Sequence, residues 1–172
     1  WIATNADGNA TGFSPSGNGI INQTITNTST TQNAIVVYTI TPATATCIGI
    51  PFTFTVTVTP KPVIDPVTDK TICHSNSAGI VLTSNIPTRF IWTSDASSTD
   101  ITGNTNGTGS TSLIGGKNSF TINESLLNNS FLPETVTYTI KSYSGDDCEG
   151  NETTVTITVD PAVTVANAGP DE

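Results

Sequence analysis

The sequence contains a single histidine, His74, and only five lysines and arginines against fourteen acidic residues. One imidazole excludes metal sites built from several histidines, and on a strand His74 points to the face opposite its neighbour Cys73, which disfavours a Cys-His pair. A net charge of -9 repels a phosphate backbone and offers few cations to displace its counterions, so nucleic acid is excluded as a partner. No window approaches the roughly 18 to 20 apolar residues that cross a bilayer, and the first residues carry neither the basic nor the apolar region of a signal peptide. No membrane insertion is expected; either the chain is soluble or its export signal lies outside this segment. G-x-S-x-G, the P-loop and G-x-G-x-x-G are all missing, and with them common hydrolase, phosphate and dinucleotide signatures. No catalytic residues and no cofactor are expected.

What is abundant is threonine, about one residue in five, a β-branched side chain that favours strands. The chain also repeats itself. "VVYTITPATATCIGIPFTFTVTVTP" from Val36 matches "VTYTIKSYSGDDCEGNETTVTITVDP" from Val136, pairing Tyr38 with Tyr138, Cys47 with Cys148 and Pro60 with Pro161 at an offset of 100 or 101. That period is the size of a whole sandwich domain and signals tandem domains. Upstream, Trp1 matches Trp92, the offset shrinking because a polar stretch from Ser97 to Gly116 is longer in the second copy; it is expected to be a loop. The expected organisation is a module at 1–60 lacking its opening strands, a complete module at 61–161, and a linker with the start of a third at 162–172. A module without those strands is expected to be unstable alone or to borrow strands from a partner chain.

Strict alternation puts Val136, Tyr138, Ile140, Val155, Ile157 and Val159 on one face and threonines on the other; Val36, Tyr38, Ile40, Phe52, Phe54, Val56 and Val58 repeat the apolar set. Half-buried strands of this kind belong to antiparallel sheets. Further strands are expected at Thr71 to His74, Gly79 to Thr83, Arg89 to Thr93 and Ser119 to Asn123, with one helical turn at Ser125 to Asn128. The fold class is all-β: tandem Ig-like antiparallel β-sandwiches joined by a short, stiff linker containing Pro60 and Pro62.

Three cysteines remain to be placed. Cys73 lies near the first strand of the complete module, so a bond to Cys148 is the natural intramodule disulfide, with the partner of Cys47 upstream of the segment; unpaired buried thiols are the alternative. Cys47 to Cys73 is geometrically poor, because a strand of about 12 residues carries the chain roughly 40 Å before the second module begins. Asp146, Asp147, Glu149 and Glu152 offer hard oxygen ligands for Ca²⁺ at a hairpin tip, against the reading of a merely solvated tip; the first copy has no acids there. Trp1, Trp92, Tyr38 and Tyr138 repeat, as core residues do, which leaves Phe13 and Tyr143 as loop-side aromatics for a glycan.

"TIC" at Thr71 to Cys73, Trp92, "VTYTI", Cys148-x-Gly150 and "VTITVDP", with the joints "FTFTVTVTPKPVI" and "VANAGPDE", resemble the PKD-like, Ig-like repeats of giant Bacteroidota surface proteins. The resemblance implies a secreted adhesin held at the outer membrane and cell surface, exported by the type IX system and similar to gliding-motility adhesins. Its implied partners are neighbouring modules of the same chain and surface glycans or other cell-surface proteins. The other reading is an accessory carbohydrate-binding or spacer module of a secreted polysaccharide-degrading enzyme.

Overall fold

The computed structural model describes residues 1–163, so most of the expected third module, 162–172, lies outside the described residues. Within them the chain is all strands and connections, as the threonine-rich alternation requires. The N-terminal module contains β1 (Ile2–Asn5), β2 (Ala10–Thr11), β3 (Thr26–Asn27), β4 (Ala34–Ile40) and β5 (Phe52–Val58). They form a sheet in the order β1-β4-β5 and a small β2-β3 ribbon.

The C-terminal module contains β6 (Lys70–Cys73), β7 (Ile80–Ser84), β8 (Arg89–Ala96), β9 (Ile101–Thr102), β10 (Gly107–Ser110), β11 (Ser112–Ile114), β12 (Lys117–Ile122), β13 (Leu127–Asn128), β14 (Glu134–Tyr143) and β15 (Glu149–Asp160). A five-stranded sheet, β10-β8-β14-β15-β6, faces a three-stranded one, β11-β12-β7, and β13-β9 forms a ribbon. All pairs are antiparallel except β15 with β6.

The two modules keep one register. Val36 faces Val56 and Tyr38 faces Phe54 across β4 and β5, as Val136 faces Ile157 and Tyr138 faces Val155 across β14 and β15. Ala3 opposes Tyr38 as Ser94 opposes Tyr138. Gly17 and Gly107 each lie flat under the indole of Trp1 and Trp92, where an added Cβ would come within 2.4 and 2.3 Å of the ring. Tyr38 donates its hydroxyl hydrogen to Gln23 and Tyr138 to Glu124, at 2.7 and 2.6 Å. The terminal hairpins of the two copies therefore share one pairing register over Ala34–Ile40 and its equivalent from Glu134 to Ile140.

Their cores differ in size. Among the described residues fifteen buried ones, including Ile80, Leu82, Phe90, Trp92, Tyr138 and Ile157, form the C-terminal core, and five, Ala3, Ala10, Ala34, Val36 and Tyr38, form the N-terminal one. The six apolar side chains expected on one face of β14 and β15 are all buried, each stabilising by about 1.5–3 kcal/mol. In the first copy Phe52 and Phe54 are 55% and 58% exposed, contrary to the alternation pattern, because this module has no counterpart of β7 and β12 to lie over them.

Two other expectations are corrected. The Ser97 to Gly116 stretch is not a loop: it holds β9, β10 and β11, and its extra length builds the β11-β12 hairpin of the covering sheet. Ser125 to Asn128 is not a helical turn, since Ser125 bridges Ser77 and Leu127–Asn128 pairs with Thr102 and Ile101. Leu126 still reaches the core, because the extended chain turns it inward.

Candidate functional site

The best-organised polar arrangement outside the cores is the joint between the modules. Pro60, Pro62 and Ile64 are buried in alternation, with Lys61 and Val63 exposed. Proline supplies no N–H and fixes φ, so the extended path leaves few donors to satisfy. Two of those that remain, at Val63 and Ile64, are taken by asparagines of the C-terminal module. Asn85 accepts the Val63 N–H at 2.7 Å through Oδ1, while its Nδ2 donates to the Lys61 carbonyl at 3.2 Å and to the carbonyl of Thr30 in the N-terminal module. Asn151 accepts the Ile64 N–H at 2.7 Å. Gly150 is required where Pro62 passes, since a Cβ there would stand 2.0 Å from the Pro62 carbonyl oxygen. A groove of about 460 Å³ runs beside the joint, lined by Ile25, Asn27, Thr30, Val58, Lys61 and Val63 among others.

The β14-β15 hairpin tip reaches this joint. Cys148 is half-buried there, with Sγ 3.6 Å from Oγ1 of Thr59. Cys73 stands at the opposite end of β15, in register with Asp160. Twelve strand residues at about 3.3 Å each separate the two cysteines, roughly 40 Å against the ~7 Å limit for the Cα atoms of a disulfide. The expected Cys73 to Cys148 bond is therefore corrected: β6 runs parallel to β15 and meets its far end. All three cysteines are free thiols, Cys47 and Cys73 exposed.

The acids of the tip are divided among cations instead of converging. Asp147 pairs with Arg89 at 2.6 Å, and Lys141 lies 3.5 Å from Glu149 and 3.7 Å from Glu152. Those carboxylates, Glu149 first, hold the Lys141 ammonium above its ordinary pKa. Asp146 sits in the turn. Among the described residues no three His, Cys, Asp or Glu side chains form a metal-holding group, so the four Ca²⁺ candidates are not brought together.

The glycan candidates fare similarly. Phe13 packs on the N-terminal core, and Tyr143 has the Arg89 guanidinium 4.9 Å from its ring centre. His74 is half-buried at the end of β6, its Nδ1 2.8 Å from the Asn128 carbonyl oxygen.

Two apolar surfaces escaped the sequence pattern. An open groove of about 330 Å³ in the N-terminal module is lined by Ile21, Gln23, Ile25, Tyr38, Phe54 and Val56. At the far end of the C-terminal module Phe131 and Leu132 are 90% and 70% exposed. The signal for the first was the absence of an apolar strand pairing with Ile21, visible once β12 is seen to pair with β7.

A profile of the PKD-like domain matches residues 1–62 and again 70–163. The chain belongs to the PKD-like domain family. The first match ends at residue 62, within the joint, and the second begins at residue 70, so the asparagine-tied linker is the seam between successive PKD-like domains. Such domains are a non-catalytic, Ig-like module type and typically extracellular, and among the described residues no helix is long and apolar enough to cross a membrane. No curated protein matches the chain.

Proposed function

We propose that the chain is a structural and adhesive segment of a large secreted surface protein, with PKD-like modules at 1–60 and 61–161 and a third beginning at 162–172. The observation that carries this is the joint: side chains of one module hydrogen-bond both the linker and the neighbouring module, so successive domains hold a set orientation and the array transmits position. Among the described residues no acid, base and nucleophile converge in a way that would suit catalysis. The resemblance to Bacteroidota adhesins extends the proposal to cell-surface display, type IX export and a part in gliding, with other modules, surface glycans or surface proteins as partners. The accessory carbohydrate-binding reading is less favoured, because Phe13 and Tyr143 present no free aromatic platform.

Small-angle scattering on the full chain tests the spacer role. One fixed arrangement should fit the wild-type profile, while Asn85→Ala combined with Pro62→Gly should demand an ensemble of orientations. A wild-type profile that already demands such an ensemble refutes the reading. A glycan array showing binding abolished by Tyr143→Ala would favour the carbohydrate-binding alternative.

A further inference from the structure

The three thiols occupy positions that fit together only across a joint. Cys73 ends β6, paired with Asp160 in the parallel ladder. Side chains opposed in such a ladder stand on the same face, with strands about 4.8 Å apart. Asp160 follows Val159 as Thr59 follows Val58, and Val58 and Val159 are register equivalents opposite Ala34 and Glu134. Thr59 is the residue whose Oγ1 lies 3.6 Å from Cys148 Sγ in the next module. A strand laid on β5 in the register that β6 keeps on β15 thus brings its cysteine beside Thr59, facing Cys148.

We propose that where two complete modules follow one another, the joint is closed by a disulfide between the β6 cysteine of the leading module and the hairpin cysteine of the following one. The inference rests on the tandem-array reading above. Cys148 receives the cysteine of a β6-type segment docked on β5; Cys73 receives a hairpin cysteine from the module after it; Cys47 stands in the place of Cys148 one module earlier. The odd number of cysteines then needs no intramodule pairing.

The surfaces agree with this occupant. Among the described residues β5 has no neighbour beyond it in the first sheet, whereas its equivalent β15 carries β6. The open groove holds Ile21, Ile25, Phe54 and Val56, whose equivalents Ile122, Leu126, Val155 and Ile157 are buried in the complete module, with Ile72 of β6 packed against that core. At the other end, the exposed Phe131 lies in the loop after β13, as Thr30 lies in the loop after β3 that Asn85 of the next module binds. That end, with Cys73, is shaped as the leading half of a joint.

The bond forms by thiol–disulfide exchange with an external disulfide such as oxidised glutathione. One cysteine thiolate displaces the first external thiol, the other cysteine thiolate then displaces the second; two protons and two electrons leave the cysteines and one external disulfide becomes two thiols.

The test uses the full chain and a synthetic peptide spanning residues 67–77, which carries Lys70–Cys73, in a glutathione redox buffer, with peptide mapping by mass spectrometry. Adducts at Cys148 should exceed those at the more exposed Cys47 and Cys73 by about ten-fold, and a peptide with Ile72→Cys and Cys73→Ile, which turns the sulfur to the other face, should lose the preference. Equal labelling of Cys47, or equal labelling by the exchanged peptide, overturns the proposal. Thr59→Cys in the full chain should bridge to Cys148 with loss of two hydrogens. Failure to bridge would sink the joint and the array reading with it; bridging without peptide preference would sink the intermodule disulfide alone.

Discussion

Replacing Asn128 with alanine asks whether one buried amide secures the end of the C-terminal module. Asn128 is 1% exposed, and its Nδ2 donates to the carbonyls of Val159 and Leu132 at 2.7 and 2.8 Å while Oδ1 accepts the Ser130 N–H at 2.9 Å. Asn27 makes the same three bonds in the other module, to Val58, Gln32 and Ser29. Each bond contributes about 1 kcal/mol net; Leu132 and Ser130 regain water on truncation, but the Val159 carbonyl lies inside the sheet and does not, adding about 1 kcal/mol for the unsatisfied group. The loss comes to roughly 4 kcal/mol. With an m-value of about 1.5 kcal/mol/M, the urea midpoint should fall by about 2.5 to 3 M. Because each module has one tryptophan, a Trp1→Phe background leaves Trp92 as the sole fluorescent reporter of the affected module. Asn128→Asp should be worse at neutral pH, since a carboxylate would face two carbonyls, and should recover on acidification. A midpoint shift below about 0.5 M for Asn128→Ala would refute the assignment of that bond network as structural.

Gly107→Ala drives a Cβ into the buried Trp92 ring, whose Nε1 is tied to the Thr105 carbonyl at 3.1 Å; it should cost about 1–3 kcal/mol in the same urea assay. Burial first, then the bond to Glu124, holds the Tyr138 phenol far above its ordinary 10.0. The fold therefore favours the neutral form, a contribution that is complete below pH 10 and is lost as the pH rises beyond it. Tyr138→Phe should weaken the module modestly near pH 8 yet remove that alkaline loss, which circular dichroism between pH 8 and 12 would follow; an unchanged alkaline midpoint would contradict the burial. Phe54 and Val155 share one repeat position, but Phe54→Thr should alter stability by less than about 0.5 kcal/mol while Val155→Thr, which buries a hydroxyl, should cost about 1–3 kcal/mol.

The strands and the repeat were legible because threonine and apolar residues alternate without interruption from Thr135 to Ile140 and from Thr154 to Val159, where period alone assigns both element and face. The same rule failed at Phe52 and Phe54, since period marks which face is apolar and says nothing of whether another sheet lies on it. It failed again over Gly107–Ser110, where glycine and serine read as loop although Gly107 is demanded by the Trp92 ring. The cysteine pairing is not legible in the sequence, because local pattern marks β6 as a first strand but does not encode its direction relative to β15, which is a matter of topology. The joint hid in ordinary residues. Asn85 looks like any turn asparagine until the chain is folded and its amide meets the linker from Lys61 to Val63.

The parallel alignment of β6 with β15 bears on how a module resists being stretched. β6 lies near the point where the chain enters the C-terminal module and β15 near where it leaves, and both run in the same direction. Tension applied through the two ends slides these strands past each other along their length, so their backbone bonds are loaded together and must rupture as a set. An antiparallel pair at the same place would peel open one bond at a time, and the chain would lengthen under far gentler traction.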